Sequence, residues 1–275
     1  CTRFFQTQDK SHKQTRDFTI AADLGFMKYA VFQGDRGIFS VTLAASPDDD
    51  QLTPILKTNG FERACRSIPR IARFTENAVP LGEVRAISGL ESMKRTFSRD
   101  VPLGLVLIGD SLVHTNPLYG RGATMAFMQA VLLSESLIRH GTSHRLPLAS
   151  ILDEDYQAEL FPWYEFSLSQ DENSTQVALD HRSGRQPSET RPDGKLDPRE
   201  YMRSLVREGL IPAMAQDGLV ARKAFRGFHM MDPPGSLLKD PEIIKRVTAY
   251  FRQKTSPSSS PSFTRNDLIS ALDTQ

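Results

Sequence analysis

The spacing of apolar residues changes character along the chain. Over roughly the first hundred residues, short stretches of β-branched and apolar residues alternate with turn residues: Thr2–Thr7, Tyr29–Phe32 and Ile38–Ala44, the last two joined through Gln33-Gly34-Asp35-Arg36-Gly37. These predict strands, with Tyr29 to Ala45 forming a hairpin. From residue 51 to 77 the spacing turns helical through Ile55, Phe61, Ala64, Ile68 and Ile71, with a break at Pro69. Phe4, Phe5, Phe26, Phe32 and Phe39 are assigned to the core of this part. Leu103–Ile108 is a short apolar run between Pro102 and Gly109, which predicts a buried strand. A helix is predicted to begin close to Gly120 and to run to about Arg139, where Gly141 stops it. In it, Ala123, Ala126, Ala130, Leu133 and Leu137 recur at spacings of three and four and read as its core-facing stripe.

Past about residue 140 the chain reads as helices joined by polar loops. Ser150–Ser169 carries Leu152, Tyr156, Leu160, Trp163 and Phe166 at helical spacing, with Pro162 as a kink. Arg199–Gln216 and Pro241–Gln253 predict further helices, and the polar stretch 181–198 a loop. The organisation expected is therefore a β-sheet region with helices over 1–100, a strand–turn–helix unit over 101–140, a helical section over 141–254, and a flexible tail over 255–275. Within that tail Thr255–Ser262 is the linker, and the last residues form at best a short helix.

Candidate chemistry concentrates in the strand–turn–helix unit. Asp110 falls just past a strand end, where ligands gather in open α/β sheets, and its carboxylate can accept hydrogen bonds from ribose-like or ribityl hydroxyls. Gly109 lets the backbone turn, and Pro117 fixes the loop that follows. Gly120 and Gly122 then open a helix whose first amides lack intrahelical partners, so a planar ligand, an acceptor or an anion can approach closely.

Gly109, Asp110, Pro117, Gly120 and Gly122 together resemble the second flavin-binding motif of the FAD-dependent aromatic hydroxylase and monooxygenase superfamily. The resemblance implies FAD as cofactor and NAD(P)H as reductant. Asp110 would bind the ribityl chain, and the helix start around Gly120, Arg121, Gly122, Ala123 and Thr124 would face the pyrimidine edge of the isoalloxazine. Its implied fold is α/β: an FAD/NAD(P)-binding domain, here incomplete, with a mixed β-sheet substrate region roofing the flavin and a helical C-terminal section. Thr124 stands where the family often has Asn, and Gln129 where it often has an acidic residue. His114 occupies a position where the family commonly has a His; it reads as a packing or loop-bonding residue before a catalytic one.

Gly109-Asp110-Ser111-Leu112 also spells the nucleophile block of the GDSL esterases. Those enzymes need an Asp-x-x-His pair downstream of the serine. In this chain Asp9 to His12 supplies that spacing, and it lies upstream.

Composition narrows the remaining classes. At 275 residues, 39% hydrophobic and 24% charged, the chain can bury one sizeable core or two modest ones. A net charge of +1 does not suggest a nucleic-acid partner, and no apolar run reaches the length of a membrane span. Cys1 and Cys65 make neither a disulfide framework nor a metal site, which suits a reducing, cytoplasmic setting. The Gly-x-Gly-x-x-Gly unit that cradles the FAD pyrophosphate in the resembling superfamily is missing from the sequence, and the first residue is Cys1. The expectation is a C-terminal fragment of an FAD-dependent oxidoreductase, a monooxygenase acting on a small organic molecule. A flavin-dependent isoprenoid reductase and a catalytically silent remnant stand as alternatives.

Overall fold

The computed structural model describes residues 1–8, 19–89, 91–96, 104–141, 148–184, 197–253 and 263–273, which divide into two units. The first comprises Cys1–Gly89, Asn173–Gln186 and Ser258–Gln275. It holds five strands: β1 (Thr2–Thr7), β2 (Thr19–Asp23), β3 (Met27–Gln33), β4 (Ile38–Ala45) and β5 (Ala78–Arg85). Their order is β2-β3-β4-β1-β5, and each pairing is antiparallel. The mixed, largely antiparallel sheet that the resemblance implies is antiparallel in every pairing among the described residues. A parallel neighbour needs a crossover of a dozen or more residues, and β3 and β4 are joined by the tight turn at Asp35–Gly37.

Alternation sorts the two sheet faces. Phe5, Tyr29, Val31, Phe39, Val41 and Leu43 all point to one face and are buried. Helices α1 (Thr58–Ser67) and α2 (Pro69–Thr75) add Phe61, Ala64, Cys65 and Ile71 to the same core, with Pro69 starting α2 where the break was predicted. Phe4 and Phe32 belong to the opposite face. Each pairs across from Ser40, and they are 50% and 49% exposed, so their assignment to the core is corrected. The period of two leaves them no other choice once Phe5 and Val31 face inward.

The expected flexible tail is corrected over its last part. Residues 255–262 lie outside the described residues, but Arg265–Asp273 forms α10, which buries Leu268 and Leu272 in the first unit's core. Its start is capped reciprocally: the backbone N–H and hydroxyl of Thr264 donate to Asp267 Oδ2 at 2.8 and 2.7 Å, and the Asp267 amide donates to Thr264 Oγ1 at 3.2 Å.

The second unit comprises Leu90–Glu172 and Pro187–Pro257, so the strand–turn–helix segment and most of the helical section form one body rather than two. Strands β6 (Met93–Lys94) and β7 (Val113–His114) make a two-stranded antiparallel ribbon. Leu103, the start of the predicted buried strand, lies outside the described residues, and 104–108 form no strand. Ile108 is extended, with φ −139° and ψ 161°, yet the segment has no pairing partner among the described residues. Val106 and Leu107 pack inward against Leu112, Val113 and Met125, whereas Leu105 and Ile108 stay 48% and 45% exposed. Apolar side chains alone do not make a strand; a neighbour must take up its amides.

Helix α3 (Gly122–His140) ends at Gly141, whose φ is 78°. Its stripe assignment is corrected in part: Leu133 packs into the core and Ala126 and Leu137 are half-buried as expected, but the alanines at 123 and 130 are not. Met125, Gln129 and Ser136 are buried, with Met128, Leu132 and Leu133 partly so, while Ala123 and Ala130 are exposed. The methionine and leucine side chains offer more apolar area than the alanines, and the helix turns that side inward. On the outer side, Phe127, Val131 and Ile138 are 74%, 55% and 81% exposed.

Two longer helical runs follow. In the first, α4 (Leu148–Asp155) passes through a π-helical turn, Tyr156–Leu160, into α5 (Phe161–Arg182). In the second, α6 (Pro198–Ser204) passes through another, Leu205–Leu210, into α7 (Ile211–Gln216). Each π-turn leads into a helix whose second residue is proline, Pro162 or Pro212. A proline ring strikes the carbonyl four residues back, and widening the preceding turn relieves that contact. Helices α8 (Gly218–Phe228) and α9 (Pro241–Arg252) complete a core of Leu205, Leu210, Ala213, Val220, Ile243 and Val247. Asp217 and Asp240 cap α8 and α9.

Candidate functional site

The site predicted from sequence lies within the second unit, on two neighbouring turns and the start of α3. Gly109 takes the left-handed conformation, φ 61°, and opens a single 3₁₀ turn, Gly109–Ser111. Arg95 holds this turn through its backbone, its Nη1 donating to the carbonyls of Asp110 and Ser111 at 3.0 and 3.2 Å. The Asp110 side chain is left 71% exposed, with Oδ2 at 3.3 Å from His114 Nδ1. His114 thus faces the Asp110 carboxylate within the loop, and that carboxylate remains largely open to solvent.

Ser111 closes the same turn. Its hydroxyl donates to the Ile108 carbonyl at 2.5 Å and accepts from the Ile108 amide at 3.1 Å. A serine nucleophile needs its hydroxyl on a basic imidazole. Here the hydroxyl is committed to the backbone, and the histidine in this turn faces Asp110. The geometry does not favour an esterase.

Pro117 begins a second 3₁₀ turn, Pro117–Tyr119, capped by Asn116, whose Oδ1 accepts from the Leu118 amide at 3.1 Å. Gly120 follows at φ 64° and swings the chain into α3. Arg121 stands at the cap position, and no side chain caps the helix. The amides of Gly122, Ala123 and Thr124 thus have no acceptor among the described residues, and the first intrahelical bond runs from Met125 N to Arg121 O at 2.9 Å. A Cβ built on Gly120 or Gly122 would meet nothing within 4 Å, and Ala123 and Thr124 are exposed. A flat, acceptor-rich ring edge has room to reach these amides.

Arg121 does not face that opening. It is 7% exposed, and its Nη1 donates to Ser167 Oγ at 2.8 Å and Gln170 Oε1 at 2.7 Å. Its guanidinium carbon lies 5.2, 5.7 and 5.1 Å from the ring centres of Tyr119, Trp163 and Phe166. Burial lowers the pKa of this arginine, and the charges of Tyr119 and Asp171 act against that loss. These contacts commit its side chain to anchoring the loop. A second anchor is Asp171, whose Oδ1 accepts from Asn116 Nδ2 at 2.8 Å and Oδ2 from Ser92 Oγ at 2.9 Å. Ser92 Oγ in turn accepts from the Asn116 amide at 3.2 Å.

Sequence reasoning missed Arg95, Ser92, Asn116, Ser167, Gln170 and Asp171. The signal was present in part, since 163, 166, 167, 170 and 171 lie on one helical face, but polar residues on an exposed-looking helix carry no address for their partners.

Among the described residues no group of three or more His, Cys, Asp or Glu side chains could hold a metal ion. A cavity of about 360 Å³, lined by Pro54, Lys57, Thr58, Asn59, Gly60 and Arg63, belongs to the first unit and includes none of the residues above. No helix among the described residues is long and apolar enough to cross a membrane. The exposed Asp110 carboxylate can accept hydrogen bonds and the open amides at α3 can donate them, a donor and acceptor set compatible in chemistry with a flavin; the sequence has no glycine-rich turn for its pyrophosphate.

No protein family matches the chain, and no curated protein does. Among solved structures it is similar to PqsL, described as a probable FAD-dependent monooxygenase from Pseudomonas aeruginosa, with a TM-score of 0.36 and 14% identity over 65% of this chain. The similarity spans 48% of that protein, about half its length. Likeness at this level is shared by many α/β arrangements and fixes neither fold nor chemistry.

Proposed function

We propose that this chain carries the ribityl- and pyrimidine-binding half of an FAD site in an oxidoreductase of the monooxygenase type. The observation that carries the reading is the conjunction of an exposed Asp110 carboxylate with an uncapped helix start whose amides at Gly122, Ala123 and Thr124 are free and sterically open. Asp110 would accept from the ribityl hydroxyls. The amides, at the positive end of a 19-residue helix, would hold the N1–C2 edge where negative charge collects on reduction. A bound flavin would supply the redox chemistry: two electrons taken as hydride from NAD(P)H reduce O2, one oxygen atom of which is inserted into a small organic substrate while the other leaves as water. The chain's share is orientation and charge stabilisation.

The proposal includes a covering layer that supplies the pyrophosphate-binding glycine turn, which this sequence does not contain. Two features support such a layer: residues 104–108 have no pairing partner among the described residues, and the outer side of α3 exposes Phe127, Val131 and Ile138. In this reading 1–100 is a substrate region, 101–140 the flavin motif and 141–254 a helical wall.

Purified protein from the complete reading frame should show the visible absorption bands of bound flavin and oxidise NAD(P)H with uptake of oxygen. Oxidation without oxygen uptake would favour a reductase. A complete frame that has no Gly-x-Gly-x-x-Gly turn and binds no flavin would overturn the proposal in favour of a silent remnant.

A further inference from the structure

Five residues on one face of α5, Trp163, Phe166, Ser167, Gln170 and Asp171, hold the loop Asn116–Arg121 at both ends. At the loop's start, Asp171 fixes Asn116, and Asn116 caps the turn that leads to Gly120. At its end, Ser167, Gln170 and the rings of Trp163 and Phe166 fix Arg121, which immediately precedes the open amides. Neither anchor points to the opening, and both set where its amides lie. A bond from a neutral amide to a half-buried carboxylate is stronger than one between neutral groups, and a guanidinium sandwiched by rings has little rotational freedom left.

We propose that Asp171 and Arg121 are positioning residues that preset the start of α3 before any ligand arrives, so that binding need not pay to order the loop. Asp171 acts through Asn116, and Arg121 through the backbone it shares with Gly122. This rests on reading Gly120–Thr124 as the cofactor-facing segment; the preset geometry itself can be tested without cofactor.

The experiment is hydrogen–deuterium exchange on the intact chain, followed by FAD titration. Asp171→Ala should speed exchange of the Leu118 and Gly120 amides on the order of tenfold or more while α9 keeps its protection. Asn116→Ala should do the same, and the double variant should add little, because both remove one link. Asp171→Asn, which keeps an acceptor for Asn116 Nδ2, should recover most of the protection, and Glu172→Ala on the exposed side of α5 should change nothing. Arg121→Lys should loosen the loop's far end, since lysine lacks the planar fork. Unchanged exchange at 116–122 in Asp171→Ala, or a rise spread equally over α9, would overturn the proposal. Where the wild-type chain binds FAD, the Asp171 and Asn116 variants should weaken binding non-additively; unaltered affinity would overturn the proposal. Failure of the wild-type chain to bind FAD would count against the cofactor reading alone, and the exchange rates would still decide whether Asp171 and Arg121 position the loop.

Discussion

Asp49 and Arg265, 216 positions apart, meet in a two-pronged ion pair at 2.6 and 3.1 Å with side chains 6% and 10% exposed. Arg265 also donates to Gln51 at 2.9 Å. The pair fastens α10 to the turn that precedes α1. Asp49→Ala would leave a buried guanidinium without its charge partner and should destabilise the first unit by about 3–5 kcal/mol. Replacing both residues by apolar ones of similar size should recover much of that loss. Chemical denaturation of the single and double variants measures the difference.

Asp110→Ala should lower FAD affinity on the order of ten- to a hundredfold, the worth of a charge-assisted acceptor of roughly 1.5–3 kcal/mol. Ser111→Ala should instead loosen the Gly109–Ser111 turn by about 1 kcal/mol per lost hydrogen bond and introduce no loss of ester hydrolysis. Flavin occupancy and hydrolysis of a simple ester, measured on both variants, separate the flavin reading from the esterase one.

Gln129 is 0% exposed, and neither its amide nitrogen nor its oxygen has a partner among the described residues. Gln129→Met, of similar volume, should raise stability by about 1–3 kcal/mol by removing that desolvated amide. A fall in melting temperature would show that the amide is satisfied in solution.

Two groups give opposite pH dependences. Burial, helped by Glu62, pushes the Cys65 thiol up to about 12. The folded state then favours the neutral thiol, so this contribution is complete below the ordinary thiol pKa and is lost as pH rises toward 12. Cys65 should resist alkylation at neutral pH until the chain unfolds. Asp217 is the reverse: its bond from Arg246, and then the amides of Val220 and Leu219, hold its pKa below the usual carboxylate value. That contribution is present above the ordinary carboxylate pKa and is lost as pH falls through the depressed one. Asp217→Asn should flatten the acid limb of a stability–pH curve.

Phe127→Lys and Ile138→Lys should leave stability within about 0.5 kcal/mol, because both side chains stand in water. They should also reduce binding of a hydrophobic dye and any self-association seen by sedimentation. Destabilisation of the isolated chain by either change would mean that this side of α3 is covered within the chain itself.

The sequence patterns that were legible are those with a local cause. Strands β1, β3 and β4 follow from alternation and a tight turn, α2 from Pro69 and the end of α3 from Gly141. Strand β5 was hidden by Pro80 and Gly82, which an edge position tolerates and a central one would not. The alanines of β2 carry little strand preference of their own. Helix α10 announced itself in Thr264-x-x-Asp267, a cap signature concealed by the serine- and proline-rich stretch before it. At the candidate site the glycines, Pro117 and the helix start were readable because each constrains its own backbone. The inward turn of Arg121 and the role of Asp171 depend on partners about 50 residues away, and spacing along the chain holds no record of that distance.

The π-turn at Tyr156–Leu160 acts as a gear between two stretches of helix. By fitting an extra residue into one turn it sets the phase of everything that follows, including the face that carries Ser167, Gln170 and Asp171. Each residue in a helix advances its face by about 100°. Removing a single residue from 156–160 would therefore leave the helix intact and its composition almost unchanged, yet swing those three side chains away from Asn116 and Arg121. An inserted residue within α4 would turn the same face in the opposite sense. The angular setting of α5 thus decides whether Ser167, Gln170 and Asp171 can reach the glycine loop at all.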